Sequence, residues 1–278
     1  MIKLYLRKVA YMVPGAQALW IKLNTWQKKH PEFRGWGMTT NSFPPWYKGG
    51  GDDVSKDFLK AHEGIFANVS KGRFKLTQYE NVQDKAARLR ELMWRHYVVF
   101  WTVQYASYAA RDKTINLVEC GVCDGLTVYF AMSALPEGTQ FKAYLYDAWE
   151  RMEDEDLLES EKKHAGDYAY LELENAKRNL VAFERETVFI KGFIPESFKN
   201  TESPTEVVWM HIDLNASLPT TAALRRYFDA IPPGGVILFD DYAWRGYEDT
   251  KVAVDRFFSD KKGVLLPMPT GQAIFFKH

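Results

Sequence analysis

The sequence predicts a doubly wound α/β sheet of seven mostly parallel strands, with an antiparallel hairpin at its C-terminal end and a helical N-terminal extension. From Asn116 onward, short apolar runs alternate with segments of helical periodicity, which is typical of parallel sheets. The first of these runs is followed by a glycine turn, from Gly121 to Gly125, and then by a helical pattern. Only Pro267 to Gly271 separate the last two runs. That connection is too short for a helical crossover, so these two strands must pair antiparallel.

The predicted elements follow one another along a main domain at 84–278. The longest helical pattern covers 84–111, where Leu89, Leu92 and Phe100 recur near helical spacing. Strands are expected at 115–120, 142–147, 187–191, 206–213, 234–240, 263–267 and 272–277. Helices are expected between them, at about 125–135, 169–183, 217–230 and 247–259.

The first 83 residues are expected to form an N-terminal extension or cap. Residues 1–30 alternate basic and apolar positions, which favours a helix that packs on the domain or on the second subunit of a homodimer. A helix resting on a membrane surface is the alternative. Residues 31–55 are rich in glycine and proline and therefore predict a loop, and its aromatic residues suggest that the loop is packed.

Composition and charge exclude several classes of protein. The chain has 278 residues, of which 46% are hydrophobic and 26% charged, enough for one sizeable core. The 36 basic residues balance the 36 acidic ones, so bulk charge does not favour a nucleic-acid partner. The uncharged run from Val9 to Ile21 is too short and broken to be an integral membrane segment, and a cytoplasmic location is expected. Cys120 and Cys123 are interpreted as buried reduced thiols rather than zinc ligands.

The glycine turn indicates a ligand with a positive charge. Its spacing is Glu119-x-Gly121-x-x-x-Gly125, which lacks the G-x-G pair that dinucleotide sites use. A carboxylate at the end of the first strand would repel a pyrophosphate but could pair with the ammonium group of S-adenosylmethionine. A tight turn without any ligand is the alternative.

A second acid supports the adenosyl ligand. Asp147 ends the next predicted strand, 22 residues after Gly125. In nucleotide-binding α/β folds, an acid about 20 residues beyond the glycines accepts hydrogen bonds from ribose hydroxyls. The alternative is an aspartate that only caps a loop.

Three further aspartates are expected to converge. Asp213 ends the predicted strand 206–213, and Asp240 and Asp241 end the strand 234–240. The carboxyl ends of neighbouring parallel strands line one crevice, and three adjacent carboxylates are unfavourable unless a cation neutralises them. Oxygen ligands of this kind favour Mg²⁺. A single aspartate could instead cap the loop or the following helix.

The segment between Trp149 and His164 is strongly acidic and follows Asp147 closely. Runs of charge of this kind are usually solvated surface. The functional interpretation is a lid that carries His164 to the methyl acceptor.

Several motifs together resemble the class I S-adenosylmethionine-dependent methyltransferases, with their Rossmann-like fold, and within them the macrocin O-methyltransferase-like family, which methylates sugar hydroxyls. The motifs are Leu92-Met-Trp-Arg-His-Tyr97, Val118-Glu-Cys-Gly121, Tyr146-Asp-Ala-Trp-Glu150, Lys191-Gly-Phe-Ile-Pro-Glu-Ser197, His211-Ile-Asp213, Pro233-Gly-Gly-Val-Ile-Leu-Phe-Asp-Asp-Tyr242 and Pro269-Thr-Gly-Gln272. The resemblance implies a donor site formed by Glu119, Cys120, Gly121, Gly125, Asp147, Ala148, Trp149 and Asp213. It also implies that Asp213, Asp240 and Asp241 hold Mg²⁺.

The sequence departs from that family at Asn215, where the family has an aspartate that is proposed as general base. A neutral amide cannot take a proton at pH 7. Either another group, such as His164, His211 or a metal-bound hydroxide, takes the proton, or the acceptor differs from the family's sugars. The catalytic candidates are Asp213, His164, His211 and Asn215.

The leading hypothesis is an O-methyltransferase, dependent on S-adenosylmethionine and assisted by Mg²⁺, that acts on a saccharide-like small molecule. A nicotinamide oxidoreductase is disfavoured by the missing G-x-G pair. A non-catalytic interaction protein with the same fold is the other alternative.

Overall fold

In the computed structural model, the structure describes residues 53–79, 84–111, 114–154 and 157–278. The expectations for residues 1–30 and for nearly all of the predicted loop 31–55 lie outside these ranges. The α-helices of the described ranges are α1 Asp53–Ser70, α2 Lys85–Glu91, α3 Met93–Ser107, α4 Leu126–Ser133, α5 Leu173–Asn179, α6 Ser217–Tyr227 and α7 Glu248–Phe258. The strands are β1 Ile115–Cys120, β2 Phe141–Asp147, β3 Thr187–Lys191, β4 Trp209–Ile212, β5 Val236–Phe239, β6 Gly263–Pro267 and β7 Ala273–Lys277.

The seven strands form one sheet in the order β3-β2-β1-β4-β5-β7-β6. The pairs β1–β2, β1–β4, β2–β3 and β4–β5 are parallel. Strand β7 pairs antiparallel with both β5 and β6. The predicted seven-stranded α/β sheet and its antiparallel C-terminal hairpin are therefore confirmed. Because the chain reverses its direction of winding between β1 and β4, the carboxyl ends of these two strands border a crevice of the kind in which α/β proteins bind ligands.

Both faces of the sheet are buried under helices. Along β1, Leu117 faces the core that includes α1, α3 and α4, while Val118 and Cys120 face the core that includes α6 and α7. All of these side chains are fully buried. This explains why four of the six residues of β1 are apolar, since a strand covered on both sides has few solvent-facing positions.

The observed elements differ from the predicted ones in three places. The long helix predicted at 84–111 is divided into α2 and α3 at Leu92, whose backbone angles are φ −88° and ψ 0°. Strands β4 and β5 are shorter than predicted, so Asp213 and Asp240 lie just beyond the strand ends. Helix α1 begins at Asp53, inside the predicted loop.

Helix α1 falls within the predicted N-terminal extension, and it packs in the same core as α3 and α4. Its residues Phe58 and Ile65 are fully buried, and the ring of Phe58 contacts that of Phe100 at a centroid distance of 5.7 Å. The domain boundary at residue 84 stays a prediction. None of the helices in the described ranges combines the length and apolar character that crossing a membrane requires.

Candidate active site

An open pocket of about 1070 Å³ lies at the carboxyl ends of β1, β2 and β4. Gly121, Asp147 and Asp213, which follow or end these three strands, line it. The backbone turn after β3, from Gly192 to Ile194, lines the opposite side. A pocket in this position is the usual ligand site of an open α/β sheet.

Gly121 allows the end of β1 to approach the end of β4. Its φ is +89°, and a Cβ built on it would lie 1.9 Å from the carbonyl oxygen of Asp213. Any other residue would therefore clash with backbone and not only with a movable side chain. Gly125 also has a positive φ, of +84°, but its missing Cβ makes room for the side chain of Leu180. The first glycine thus shapes the pocket, whereas the second serves packing of the helix that follows.

The carboxylate of Asp147 organises the glycine turn. Its Oδ2 accepts hydrogen bonds from the backbone N–H groups of Val122 and Cys123, at 2.7 and 2.8 Å. Its Oδ1 accepts one from the N–H of Trp149 at 2.7 Å. Trp149 closes the same turn, because its indole Nε1 donates to the carbonyl of Cys123 at 3.0 Å. Asp147 therefore fixes the turn and also lines the pocket, and its predicted contact with ribose has to compete with three backbone donors.

Glu119 is not among the residues that line the pocket, and its contact with the methionyl end of the donor stays a prediction. Its side chain is buried, and its Oε1 lies 2.8 Å from Nδ1 of His211, its neighbour across β1 and β4. Burial alone would lower the pKa of His211, but the hydrogen bond and charge of Glu119 raise it above its usual value. Because side chains alternate along a strand, Glu119 points to the face covered by α3. His211 is buried with it and also does not line the pocket, so it cannot touch an acceptor there.

The acid cluster is formed by Asp213, Asp240 and Asp241, and a cation from the protein itself lies against it. Arg95 on α3 donates from Nε to Oδ1 of Asp240 at 2.6 Å and from Nη2 to Oδ2 of Asp213 at 2.8 Å. All three side chains are mostly buried, with exposed fractions of 19% for Arg95, 22% for Asp213 and 11% for Asp240. Gln272 donates a further bond to Oδ1 of Asp240 at 3.3 Å. The predicted need for a neutralising cation is thus met in part by an arginine.

The cluster still holds more negative than positive charge. Its three carboxyl groups face one guanidinium, that of Arg95. Burial raises the pKa values of Asp241 and Asp213, the neighbouring carboxylates raise them further, and Arg95 opposes that rise. Oδ2 of Asp241 is buried and finds no hydrogen-bond partner among the residues that the structure describes.

This environment fits a divalent cation with oxygen ligands, because such an ion would supply the missing charge and a partner for the Asp241 oxygen. One potential ligand atom from each of His211, Asp213 and Asp240 also lies within 4.8 Å of the others. That set differs from the predicted one by the imidazole in place of Asp241. Glu119 binds only Nδ1 of His211, so the buried Nε2 is available as a ligand, and the set with His211 is an alternative to the three aspartates.

The acidic segment that follows β2 is mostly exposed in its described residues, but one of its acids anchors it to the domain. Glu161 is buried, and its two carboxylate oxygens accept hydrogen bonds from the N–H groups of Ser217, at the start of α6, and of Leu158. His164 stacks on Tyr247 at a centroid distance of 5.1 Å. It does not line the pocket, whereas Tyr168, four residues further on, does. The segment itself lines the site through Glu150, Met152 and Glu153, and not through His164.

Two residues of the site were not predicted from the sequence. Arg95 and Gln78 line the pocket, although neither belongs to the glycine turn or to a strand end. Gln78 is held there because Asp124, in the turn after β1, accepts hydrogen bonds from the N–H and the hydroxyl of Thr77 at 2.5 and 2.7 Å. The only hint of this contact in the sequence was the presence of an acid, Asp124, within the glycine turn.

The structure brings some of the predicted site residues together and leaves others aside. Those that line the pocket are Gly121, Asp147, Ala148, Asp213 and Asn215. Those that do not are Glu119, Cys120, Gly125, Trp149, His164, His211, Asp240 and Asp241. Cys120 is fully buried in the core on the α6 and α7 side of the sheet, away from any donor. Asp240 is joined to the pocket-lining Asp213 through Arg95, which donates to both carboxylates.

Residues 118–242 match the model of a family described as a methyltransferase domain. Two solved structures have a similar fold. The O-methyltransferase NovP matches with a TM-score of 0.60 and 17% identity, over 81% of this chain and 99% of its own. The calicheamicin methyltransferase CalS11 matches with a TM-score of 0.54 and 14% identity, over 87% of this chain and 98% of its own. No curated protein sequence matches the chain.

The domain match covers the glycine turn, the end of β2 and the acid cluster, which are the parts from which the pocket is built. Residues 118–242 are therefore a methyltransferase domain of the kind that depends on S-adenosylmethionine. The seven-stranded sheet with its antiparallel C-terminal hairpin is the fold that it shares with NovP and CalS11.

Proposed function

We propose that this chain is an O-methyltransferase that transfers a methyl group from S-adenosylmethionine to a hydroxyl of a saccharide-like small molecule, assisted by a divalent cation. One observation carries the proposal. A single open pocket extends from the glycine turn at Gly121 to Asp213 and Asn215, next to the acid cluster. Donor and acceptor could thus lie side by side in it, as an in-line displacement requires.

The donor end of the pocket suits S-adenosylmethionine. The turn after β1 offers backbone groups at close range because Gly121 has no side chain. Phe193 and Ile194 provide an apolar wall after β3 that suits an adenine ring. When bound, the cofactor supplies a methyl group on a positively charged sulfur, which makes that group electrophilic. The protein's part is to hold the cofactor and align an acceptor oxygen with that methyl group.

The acceptor end is polar. Asp213 is the member of the acid cluster that lines the pocket, and Nδ2 of Asn215 donates a weak hydrogen bond of 3.4 Å to its Oδ1. Since His164 and His211 lie outside the pocket and Asn215 cannot take a proton, we assign the role of general base to Asp213. Asn215 then orients the acceptor hydroxyl.

A divalent cation held by Asp213, Asp240 and Asp241 would favour the ionised form of an acceptor hydroxyl. Two points support a saccharide-like acceptor, a class with several such hydroxyls. The motifs resemble a family that methylates sugar hydroxyls, and CalS11, a structure of similar fold, is a calicheamicin methyltransferase.

The test combines binding with turnover. Calorimetric titration of the full chain with S-adenosylhomocysteine is expected to give one site per chain. A panel of nucleotide sugars and glycosides, screened by mass spectrometry for the addition of one methyl group with Mg²⁺ present, is expected to give at least one O-methylated product. Absence of binding would refute the assignment of the donor. Binding without turnover on any saccharide, combined with turnover on another class of hydroxyl compound, would refute only the acceptor.

A further inference from the structure

The ribose hydroxyls of the donor need hydrogen-bond acceptors, and the carboxylate of Asp147 has too few free positions to accept from both. A carboxylate offers about four lone-pair positions, two on each oxygen. In this structure three of them are taken, by the N–H groups of Val122, Cys123 and Trp149. One position is left, whereas two neighbouring hydroxyls that are bound together need two.

A second carboxylate lies on the same wall of the pocket, three residues further along the chain. Glu150 lines the pocket together with Asp147 and Ala148. No backbone N–H is bound to it in the described part of the chain. Its Oε1 accepts a charge-assisted hydrogen bond from Nζ of Lys191 at 2.9 Å. Lys191 ends β3 and pairs in register with Asp147, so this contact holds the Glu150 side chain beside the end of β2.

We propose that Glu150, and not Asp147, is the main acceptor of the ribose hydroxyls, while Asp147 is the positioning residue that fixes the glycine turn. The inference rests on the proposed function, because it presupposes an adenosyl donor in this pocket. Binding of the ribose and fixing of the glycine turn are thus assigned to two different acids, whereas the sequence motif assigns the ribose to Asp147. The contact with Lys191 at 2.9 Å orients the Glu150 carboxylate.

Glu153 is the natural control for this assignment. It lines the same pocket and is also a glutamate in an ion pair, with Arg151 at 3.0 Å. Its exposed fraction is 38%, against 53% for Glu150, so either side chain can be removed without opening the core. The two variants Glu150→Ala and Glu153→Ala therefore differ mainly in which carboxylate is lost.

The experiment measures how strongly each variant distinguishes ribose from a sugar without hydroxyls. Full-length wild type, Glu150→Ala and Glu153→Ala are titrated calorimetrically with S-adenosylhomocysteine and with its 2′,3′-dideoxy analogue. Hydrogen bonds to a charged acceptor predict that wild type and Glu153→Ala bind the dideoxy analogue about ten- to a hundredfold more weakly. Glu150→Ala is expected to bind both compounds equally, with the affinity that wild type has for the analogue.

The outcomes separate this inference from the proposed function. If wild type does not bind S-adenosylhomocysteine, the proposed function fails and the inference fails with it. If wild type binds and Glu150→Ala keeps the full preference for ribose, the inference is overturned while the proposed function stands. Loss of the preference in Glu153→Ala alone would also overturn it. Asp147→Asn adds a further check, because it is expected to lower the melting temperature; unchanged stability together with loss of the ribose preference would return the ribose to Asp147.

Discussion

Replacing Arg95 by methionine should destabilise the protein strongly, because it removes the cation that lies between two mostly buried carboxylates. Arg95 makes two charge-assisted hydrogen bonds, of 2.6 and 2.8 Å, to Asp240 and Asp213. Its side chain is 19% exposed, so solvent screens these contacts only weakly. Methionine keeps the approximate volume of the side chain but not its charge or its donors.

The size of the effect can be estimated from the buried carboxylates that lose their partner when Arg95 is replaced. Removing one partner of a buried ion pair typically costs about 3–5 kcal/mol, because the other partner stays buried without compensation. For a chain of this length, that corresponds to a fall in melting temperature of about 6–20 °C. Arg95→Lys, which restores the charge but cannot donate to both carboxylates in the same fixed geometry, should recover part of the loss.

The loss should depend on pH with a definite sign. The pKa values of Asp213 and Asp241 are raised by burial and by the neighbouring carboxylates, and Arg95 is a group that opposes the rise. Without Arg95 these pKa values rise further, so the folded state binds protons more tightly than the unfolded state. A group of this kind stabilises the fold fully below its unfolded pKa, and that contribution is lost as pH rises through the folded pKa. The deficit of Arg95→Met should therefore be small near pH 4 and grow towards pH 8.

Denaturant unfolding of wild type and variants at several pH values measures this directly. Arg90→Met is the matched control, because Arg90 is half exposed and its contact with Asp84 spans 3.9 Å. It should change the free energy of unfolding by no more than about 0.5 kcal/mol. If Arg95→Met behaves like Arg90→Met, or if its deficit shrinks as pH rises, the account of the acid cluster given above is wrong.

Two further predictions concern the donor and the metal. Gly121→Ala should abolish binding of S-adenosylhomocysteine, because the new Cβ would meet the carbonyl of Asp213 at 1.9 Å. Gly138→Ala is its control, with a similar φ of +84° and no atom within 4 Å; it should cost only about 1 kcal/mol of stability and leave calorimetric binding unchanged. Excess EDTA should abolish methyl transfer to the acceptor while the affinity for S-adenosylhomocysteine stays the same, since the acid cluster lies beyond the donor end of the pocket; undiminished turnover in EDTA would remove the cation from the mechanism.

The sheet could be predicted from the sequence because most of its strands are covered on both faces. Strand β1 was predicted and observed at the same bounds, Ile115–Cys120, since four of its six residues are apolar. The limits of β4 were less certain for the same physical reason. Val207 and Val208 are as buried as the strand that follows them, so the apolar run does not mark where the ladder begins. A hydrophobic pattern indicates which residues are buried, and buried residues continue beyond the part of the chain that forms strand hydrogen bonds.

Arg95 could not be found in this way. Helical periodicity in α3 marks Phe100 and Val103 as core residues and leaves Arg95 as an ordinary charged position. Its partners lie 118 and 145 residues further along the chain. The sequence did indicate that three strand-end aspartates need a cation, but the packing of α3 against the sheet decides that part of that charge comes from an arginine.

The sequence also could not show which way the side chain of Glu119 points, and its direction bears on how the pocket selects its ligand. An acid at the end of a strand seems placed to meet a ligand, yet the alternation of side chains turns Glu119 towards His211 and the helices. Selection against a diphosphate must therefore come from other charges. Those that line the pocket are Asp124, Asp147, Glu150, Glu153 and Asp213, opposed by Arg95. Five carboxylates against one guanidinium give a field that repels phosphate and attracts a sulfonium and an ammonium group. Preference for a cationic donor is thus a property of all the charges that line the pocket. A sequence motif built on one strand-end acid does not capture it.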